Sequence, residues 1–243
     1  MEKGGELIGA SRPDNSKWTL KDWSFTQDIG SDIGLFRVNN GKIENIKIEN
    51  FKITNNNPSV TGHVSAGSLC GTNKGDLIKI EVSGVSVNID VGDIDSNNDS
   101  WAVVGGLCGY NSGTLVDIKV HGNSYIKGWV TTKYKTAHAL VGGIVGHSNG
   151  GQLGLLGKLE SYNNTIYAGS NAAFDHPWFS DNKHGSSLSY AGCIAGQTTN
   201  TAYNLNNLKF SGNDVNADAQ HKCSKHAYKS SLGNEDTAIA YVI

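Results

Sequence analysis

A glycine-rich stretch that returns five times along the chain constrains the fold more than any other feature. Its most complete copy is GGLCGYNSGTL, at residues 105–115. Taking Leu35, Leu69, Leu107, Ile144 and Ile194 as equivalent positions gives spacings of 34, 38, 37 and 50 residues. Self-similarity at such periods is typical of repeat proteins, in which each unit buries its apolar face only against its neighbours.

The segments that follow the glycine-rich stretches alternate apolar and polar residues with the period of a β-strand, and none carries a helical stripe of useful length. Their apolar positions are Ile43, Ile46, Ile48, Phe51 and Ile53, then Leu77, Ile80, Val82, Val85 and Val87, then Leu115, Ile118, Val120 and Tyr125. An extra residue between the first two positions of each copy predicts a bend or bulge. We therefore expect an all-β chain, a parallel β-solenoid or β-prism of about five coils with capping ends.

Stacked coils should place equivalent residues above one another in columns. Two predicted core columns are Leu35, Leu69, Leu107, Ile144 and Ile194, and Phe36, Cys70, Cys108, Val145 and Ala195. A third column is Arg37 followed by Gly71, Gly109, Gly146 and Gly196, which we interpret as a tight corner. A fourth is Asn39, Asn73, Asn111, Ser148 and Thr198, whose side chains are predicted to hydrogen-bond the backbone of the neighbouring turn.

The repeats do not extend to either end of the chain, so the sequence predicts three regions. Residues 1–30 are expected to form an opening coil or N-terminal cap whose aromatic residues cover the end of the core. Residues 31–212 are expected to form the solenoid, with an inserted loop at 167–189 that accounts for the longest spacing. Residues 213–243 are expected to form a C-terminal cap or docking tail, and the run 237–243 predicts one more strand.

Composition and charge exclude several classes of protein. The chain has 31 Gly and only 3 Pro, which excludes collagen and argues against a helical bundle. A net charge of −2 without a basic patch predicts that nucleic acid is not a partner. No apolar run reaches about 18 residues, so no membrane span is expected. No signal peptide is recognised at the N-terminus, which indicates either that this export route is not used or that the chain is a mature piece.

The cysteine count is too low for a disulfide framework, and no CxxC pair occurs. Cys70 and Cys108 fall in one column, where we favour small apolar core residues over a disulfide, although stacked strands would allow the bond. Cys223 is either free or bonded to Cys193.

The stretches GGLCGYNSGTL and VGGIVGHSNG, at 105–115 and 141–150, resemble the GLUG motif, a glycine-rich repeat of bacterial surface proteins. The core of that motif is roughly V-G-G-L-V-G-x-N-x-G-x-I. The first copy departs from it at Phe36 and Arg37, the second has 66–68 as Ala-Gly-Ser, and the fifth lacks the final Gly. The resemblance covers about residues 33–212. It implies a parallel β-solenoid or β-prism that usually serves surface proteins as a non-catalytic module.

One stretch resembles a metal loop. Oxygen ligands at alternating positions, as a Ca²⁺ loop requires, occur at Asp93, Asp95, Asn97 and Asp99. Asn98 stands where the loop needs its sharp-turn Gly, and Val104 stands where it needs a bidentate Glu, so we favour an acidic solvated loop. Calcium is the one cofactor considered, and otherwise none is expected. A second candidate, HKCSKH at 221–226, is better explained as a surface loop.

The predicted loop at 167–189 contains the candidate ligand-binding residues Asp175, His176 and Trp178. Carboxylates and imidazoles together suit acid–base or metal chemistry, but no nucleophile or anchored carboxylate pair accompanies them, and no catalytic residue is assigned. Aromatic rings can also stack on sugar rings, with core or interface roles as the alternative. The aromatic candidates are Trp101, Trp129, Trp178, Tyr110 and Tyr134.

These observations favour a non-enzymatic structural or adhesive β-solenoid module of a surface protein, filament or virion appendage. We expect an extracellular, cell-surface or virion location. The expected partners are other protein chains, including copies of itself, which would pair with strand edges at the solenoid ends. A first alternative is a carbohydrate-binding module that holds a surface glycan with the 167–189 loop. A second is a degenerate polysaccharide-active enzyme, but charges such as Lys47, Glu81 and Lys119 are scattered singly rather than clustered.

Overall fold

The computed structural model confirms the predicted fold class, because nearly all of its elements are β-strands and the strands pair in parallel. It describes residues 5–9, 17–26, 31–55, 62–93, 99–132, 135–174, 186–199, 201–223 and 237–241, with only the backbone described at 93, 173–174, 220–223 and 237–241. The strands form five parallel sheets, which we name A to E in the order in which the chain visits them. Each of the first five turns of the described chain adds one strand to each sheet, as in a solenoid, and the sixth adds one strand to each of sheets A to D.

The first three coils supply strands to sheets A to E in order. Coil 1 contains β1 (Glu6–Ile8), β2 (Trp18–Lys21), β3 (Ser24–Thr26), β4 (Asp32–Ile33) and β5 (Phe36–Asn39). Coil 2 contains β6 (Lys42–Glu44), β7 (Ile46–Glu49), β8 (Lys52–Asn55), β9 (His63–Gly67) and β10 (Cys70–Asn73). Coil 3 contains β11 (Asp76–Ile78), β12 (Glu81–Ser83), β13 (Ser86–Asp93), β14 (Ser100–Gly105) and β15 (Cys108–Asn111).

The remaining coils repeat the same order. Coil 4 contains β16 (Thr114–Val116), β17 (Ile118–His121), β18 (Tyr125–Thr132), β19 (Ala137–Gly142) and β20 (Val145–Asn149). Coil 5 contains β21 (Gln152–Leu153), β22 (Leu159–Tyr162), β23 (Thr165–Phe174), β24 (Ser187–Gly192) and β25 (Ala195–Thr199). Coil 6 contains β26 (Ala202–Tyr203), a 3₁₀ turn (Leu205–Asn207), β27 (Leu208–Ser211), β28 (Asp214–Cys223) and β29 (Thr237–Tyr241).

The predicted core columns are present. Cys70 pairs with Phe36 on one side and with Cys108 on the other, and Val145 continues the same column. Leu107 and its equivalents lie at the bend between sheets D and E, where Leu69, Leu107, Ile144 and Ile194 are all fully buried. The apolar interior is therefore continuous from coil to coil.

The glycine column has a different cause from the one predicted. Gly109 and its equivalents lie in or beside the strands of sheet E, and none of them has a left-handed backbone. A Cβ at Gly109 would lie 2.4 Å from the backbone nitrogen of Ala66 and 2.5 Å from the carbonyl oxygen of Val103. Sheet E thus folds back onto the outer face of sheet D at backbone contact distance, and only glycine fits there.

Sheet D is covered on its other face by sheet C. A Cβ at Gly128 in β18 would lie 2.9 Å from Val141 and 3.0 Å from Val104, which belong to sheet D. In coil 5 the hydroxyls of Ser170 and Ser189 form a buried 2.8 Å hydrogen bond between the same two sheets. Sheets C, D and E are therefore three packed layers.

The predicted bend between Ile43 and Ile46, and between Leu77 and Ile80, is a single left-handed residue between sheets A and B. Asn45, Lys79 and Asp117 occupy this corner in coils 2 to 4, with φ values of 60°, 53° and 53°. One such residue turns the chain from one sheet to the next while Ile43, two residues before Asn45, and Ile46, directly after it, both keep their side chains in the core.

One predicted core position is wrong. Tyr125 pairs with Ser86 on the outer face of sheet C and is 40% exposed, while Ser124 occupies the buried corner position. The reason is an extra residue at the corner before β18, where Gly122 and Asn123 both have positive φ. The corresponding corner of coil 3 has one such residue, Gly84.

The predicted loop at 167–189 is wrong at both ends. Residues 167–174 belong to β23, because Ile166, Ala168 and Ala172 alternate into the core and continue sheet C, and 187–189 belong to β24. Residues 175–185 lie outside the described part of the chain. The connection between β21 and β22 also lengthens, and there Leu155 and Leu156 are exposed.

The two terminal regions continue the sheets of the repeats. Strands β1 to β3 pair with β6 to β8, so residues 6–8, 18–21 and 24–26 belong to the opening coil. The additional strand predicted in 237–243 is present as β29, which pairs with β24. In the described residues no helix combines the length and the apolar character that crossing a membrane requires.

Candidate functional site

The outer face of sheet C carries a cluster of three aromatic side chains, those of Tyr125, Trp129 and Tyr167. In β18 the alternation of the strand places Tyr125, Lys127 and Trp129 outward and Ile126 and Val130 in the core. The neighbouring strands place Asp90 and Gly169 on either side of Trp129. We call Asp90, Tyr125, Lys127, Trp129 and Tyr167, which line a shallow groove of about 520 Å³, the aromatic platform.

The indole of Trp129 lies across the backbone of the next coil. A Cβ at Gly169 would stand 2.0 Å from Cε3 and 2.2 Å from Cζ3 of this ring. Gly169 is buried although it points outward, because the indole covers it. The ring of Tyr167 lies beside that of Trp129, with centroids 6.2 Å apart and planes only 7° from parallel. The Cε3–Cζ3 side of the indole therefore packs against Gly169, and the planes of the two rings are nearly parallel.

Polar groups surround these rings and hold some of them in place. The indole Nε1 of Trp129 donates to the hydroxyl of Thr131 at 3.0 Å. The ammonium of Lys127 lies 3.2 Å from the carboxylate of Asp90. The hydroxyl of Tyr167 donates to Asp218 at 3.4 Å, and burial, with the charge of Asp218, raises the pKa of that phenol. The rings are thus oriented by the protein itself.

Two amide groups beside the platform have unused hydrogen-bonding capacity. Asn88 pairs with Lys127 and Asn171 pairs with Thr131 on the outer face of sheet C. The side-chain oxygens of both residues are buried and accept no hydrogen bond in the described chain. Buried amide oxygens usually have a hydrogen-bond partner, so these two oxygens beside the platform still have the capacity to accept a hydrogen bond.

A second aromatic cluster lies on sheet D. The rings of Trp101 and His138 stack at 3.6 Å with planes 1° apart, and His63 stands 6.1 Å from Trp101 on the other side. Burial lowers the pKa of His138 to about 4, although the charge of Asp99 opposes the shift. Burial also lowers the pKa of His63. His138 therefore covers one face of the Trp101 indole, and His63 stands near it at a tilt of 30°.

The charges on sheet B pair with one another across coils. The carboxylate of Glu81 lies 3.3 Å from Lys17, 3.4 Å from Lys47 and 3.2 Å from His121. Burial of Glu81 raises its pKa, but the hydrogen bond from His121 and the two lysines outweigh that effect and lower the pKa to about 2. The cluster is a network of ion pairs in which this carboxylate is fully ionised at neutral pH.

No protein-family model, curated protein or solved structure matches the chain. Function therefore has to be inferred from the geometry of its own residues.

The ligand and metal candidates from the sequence are only partly described. Asp175, His176 and Trp178 lie outside the described residues, as do Asp95 and Asn97. The backbone of Asp93 ends β13, and Asp99 accepts a hydrogen bond from the backbone of Thr136 at 3.0 Å. The described residues contain no group of three metal-ligating side chains, and the calcium loop stays a prediction.

Among the predicted sugar-stacking residues, Trp129 alone lies in the platform. Trp101 packs against histidines, and Tyr110 meets the edge of His147 with ring centroids 5.4 Å apart. Tyr134 lies outside the described residues. Tyr125 and Tyr167 were missed, although the alternation in Tyr125-Ile126-Lys127-Gly128-Trp129 already placed its two aromatic residues on one face.

Cys70, Cys108 and Cys193 are free thiols in the structure, and the side chain of Cys223 is not among those described. The hydrogen bond between the two stacked thiols, together with burial, raises the pKa of Cys108 well above its usual value. Cys70 and Cys108 act as the small core residues that we favoured, and no reactive thiolate is available there.

Proposed function

We propose that the chain is a non-enzymatic structural and adhesive β-solenoid module of a surface protein, filament or virion appendage. The observation that carries the proposal is the repetition of one five-sheet cross-section, with parallel registers that run from coil 1 to coil 6 in sheets A to D and from coil 1 to coil 5 in sheet E. A rod with a uniform interior supplies stiffness, and its two ends and outer faces supply attachment surfaces. The resemblance to surface-protein repeats supports the same function.

The arrangement of the acids favours binding over hydrolysis. Asp90 and Asp218 stand in one column of sheet C, separated by Trp129 and Gly169. At about 4.8 Å per strand, three steps place the Cα atoms of these two residues about 14 Å apart. A glycosidase needs its two carboxylates within about 10 Å of each other. This backbone separation supports a non-catalytic role for the outer face of sheet C.

The N-terminal end supports self-association. Leu20 pairs with Ile48 in β7 and belongs to an inward-facing column, yet it is 37% exposed because β2 is the outermost described strand of sheet B. Trp18, in the same strand, is 48% exposed. An apolar strand at a sheet edge is a template for another chain, and a second copy offers strands of matching spacing.

The molar mass in solution tests this proposal. We expect light scattering coupled to size exclusion to report a mass that rises with concentration, and negative-stain images to show particles that lengthen along the solenoid axis. Leu20→Lys should abolish the rise, because it places a charge where the next apolar layer would stack.

Leu156→Lys is the matched control. It makes the same substitution at a residue that is 65% exposed on the side of the rod, so association should persist. A wild-type protein that stays monomeric at every concentration would contradict the self-association, and sensitivity to Leu156→Lys alone would move the contact to the side of the rod. Release of reducing ends from a polysaccharide, lost in Asp90→Asn, would contradict the non-enzymatic assignment.

A further inference from the structure

The aromatic platform has the chemistry of a ligand-binding surface rather than that of a core or an ion-pair network. We propose that it binds a short run of a neutral glycan, and this inference rests on the proposed adhesive function because it names the ligand of an outer face. The site shares only Tyr167 with the predicted 167–189 loop: it is built from the strands β13, β18 and β23 of three successive coils.

Ring orientation is the first reason. The contact of Cε3 and Cζ3 with the position of Gly169 holds the Trp129 indole against the sheet, while the residue stays partly exposed in the groove. The ring of Tyr167 stacks near it in an almost parallel plane, and Tyr125 on the same face of β18 is 40% exposed. Flat aromatic faces of fixed orientation suit the apolar C–H faces of pyranose rings.

Glycine at position 169 is the second reason. Any side chain there would collide with the indole, since even a Cβ would approach it to 2.0 Å. The other outward positions of the same strand carry larger residues, such as Thr165, Tyr167 and Asn171. The missing side chain at Gly169 in coil 5 therefore leaves the space that the indole of Trp129 in coil 4 occupies.

The charge balance selects a neutral ligand. Lys127 is the one cation of the platform, and its ammonium is paired with Asp90 at 3.2 Å. Asp218 adds a second carboxylate next to Tyr167. A sulfated or uronic glycan would meet a net negative surface, whereas hydroxyl groups can donate to these carboxylates and accept from Lys127.

The dimensions suit more than one sugar unit. Tyr125 and Trp129 are four residues apart in one strand, which corresponds to about 13 Å along the sheet. Tyr167 extends the surface into the next coil. The groove is open, so an internal segment of a polymer can lie on it, as adhesion to a polysaccharide requires.

Binding of neutral hexasaccharides to the full chain tests the inference. Cellohexaose, maltohexaose, chitohexaose and mannohexaose are titrated separately, with tryptophan fluorescence and calorimetry as readouts. We expect saturable binding of at least one of them, and a loss of affinity of at least about tenfold in Trp129→Ala. Tyr125→Ala should also lower the affinity for the same hexasaccharide. It serves as the second variant because the side chain of Tyr125 is more exposed than that of Trp129.

Trp101→Ala is the matched control, since it removes an indole from sheet D and should leave affinity unchanged. Binding of none of the four hexasaccharides, or equal affinity in wild type, Trp129→Ala and Tyr125→Ala, overturns the inference. Binding of heparin or polygalacturonate without any neutral hexasaccharide overturns it as well. Association of the chain through Leu20 is measured separately, so absence of glycan binding with association intact leaves the structural function standing.

Discussion

At the scale of single residues, a buried ladder of amides ties coils 1 to 4 together. Nδ2 of Asn39 donates to Oδ1 of Asn73 at 2.8 Å, and Asn73 donates in the same way to Asn111 at 2.8 Å. Asn111 in turn reaches the hydroxyl of Ser148 at 3.4 Å. Each amide also bonds a carbonyl two residues ahead in its own coil, as Asn73 does with Gly75. The predicted bond to the neighbouring turn is thus a side-chain ladder instead.

Replacing the middle of this ladder should be costly. Asn73→Ala removes the oxygen that accepts the hydrogen bond from Asn39. It also removes the N–H group that donates to Asn111, in a site with no solvent access. We expect a loss of about 2 to 3 kcal/mol in the free energy of unfolding, measured in urea, because a buried amide oxygen is left without a partner. Asn216→Ala, at an exposed amide, should change it by less than about 0.5 kcal/mol. Equal losses for both variants would contradict the role of the ladder.

His138 predicts a pH dependence of stability. Its pKa falls from 6.5 to about 4 on folding, chiefly because burial disfavours the charged ring. The unfolded chain therefore binds the proton first, so the contribution of His138 is complete above pH 6.5 and declines as the pH falls towards about 4. His138→Phe keeps a ring against Trp101 but cannot titrate, and its melting temperature should decline less over this window. Identical pH profiles would refute the assignment.

At the scale of elements, sheet D is the centre of a three-layer sandwich inside the solenoid. Its strand β14 is buried along Ala102–Gly105, with sheet C on one face and sheet E on the other. The repeated glycine at position 109 and its equivalents was the sequence signal for this layer, but glycine is common both in tight turns and where two backbones pack closely. The sequence does not give the distance between the backbones of sheets D and E, so we predicted a turn.

Gly109→Ala should disrupt this packing. The added methyl would lie within 2.5 Å of two backbone atoms of sheet D, which cannot move without separating the sheets. We expect a loss of at least about 3 kcal/mol in the free energy of unfolding, or failure to fold.

Gly150→Ala is its control. It adds a methyl in open space at a φ of 70°, so only the left-handed backbone opposes it and the loss should be about 1 to 2 kcal/mol. A Gly109→Ala protein as stable as the wild type would show that sheet E can lift from sheet D.

The aromatic platform could be predicted from the sequence only in part. Alternation in β18 places Tyr125 and Trp129 on one face, and the sequence alone identified Trp129 as a candidate. Tyr167 was assigned to a loop, because a long spacing does not reveal where its extra residues lie. The register between coils, which sets Tyr167 next to Lys127 and Gly169 next to Trp129, follows only from the stacked strands.

At the scale of the whole molecule, each coil pairs only with the coils before and after it. Strand partners are therefore separated by one repeat, as Phe36 and Cys70 are, or Val145 and Ala195. This regularity is why five copies of one motif were enough to predict the class of fold. The motif could not predict how five sheets share the cross-section, since that depends on corners such as Asn45 whose residue types vary between coils.

The asparagine ladder also gives the solenoid a direction. In a parallel sheet the backbone dipoles alternate and largely cancel. The amides of Asn39, Asn73 and Asn111 instead all point their N–H groups towards the C-terminal coils. Three aligned dipoles in a dry interior polarise one another and place partial negative charge towards coil 1 and partial positive charge towards coil 4. The ladder thus contributes an electric dipole along the axis of coils 1 to 4.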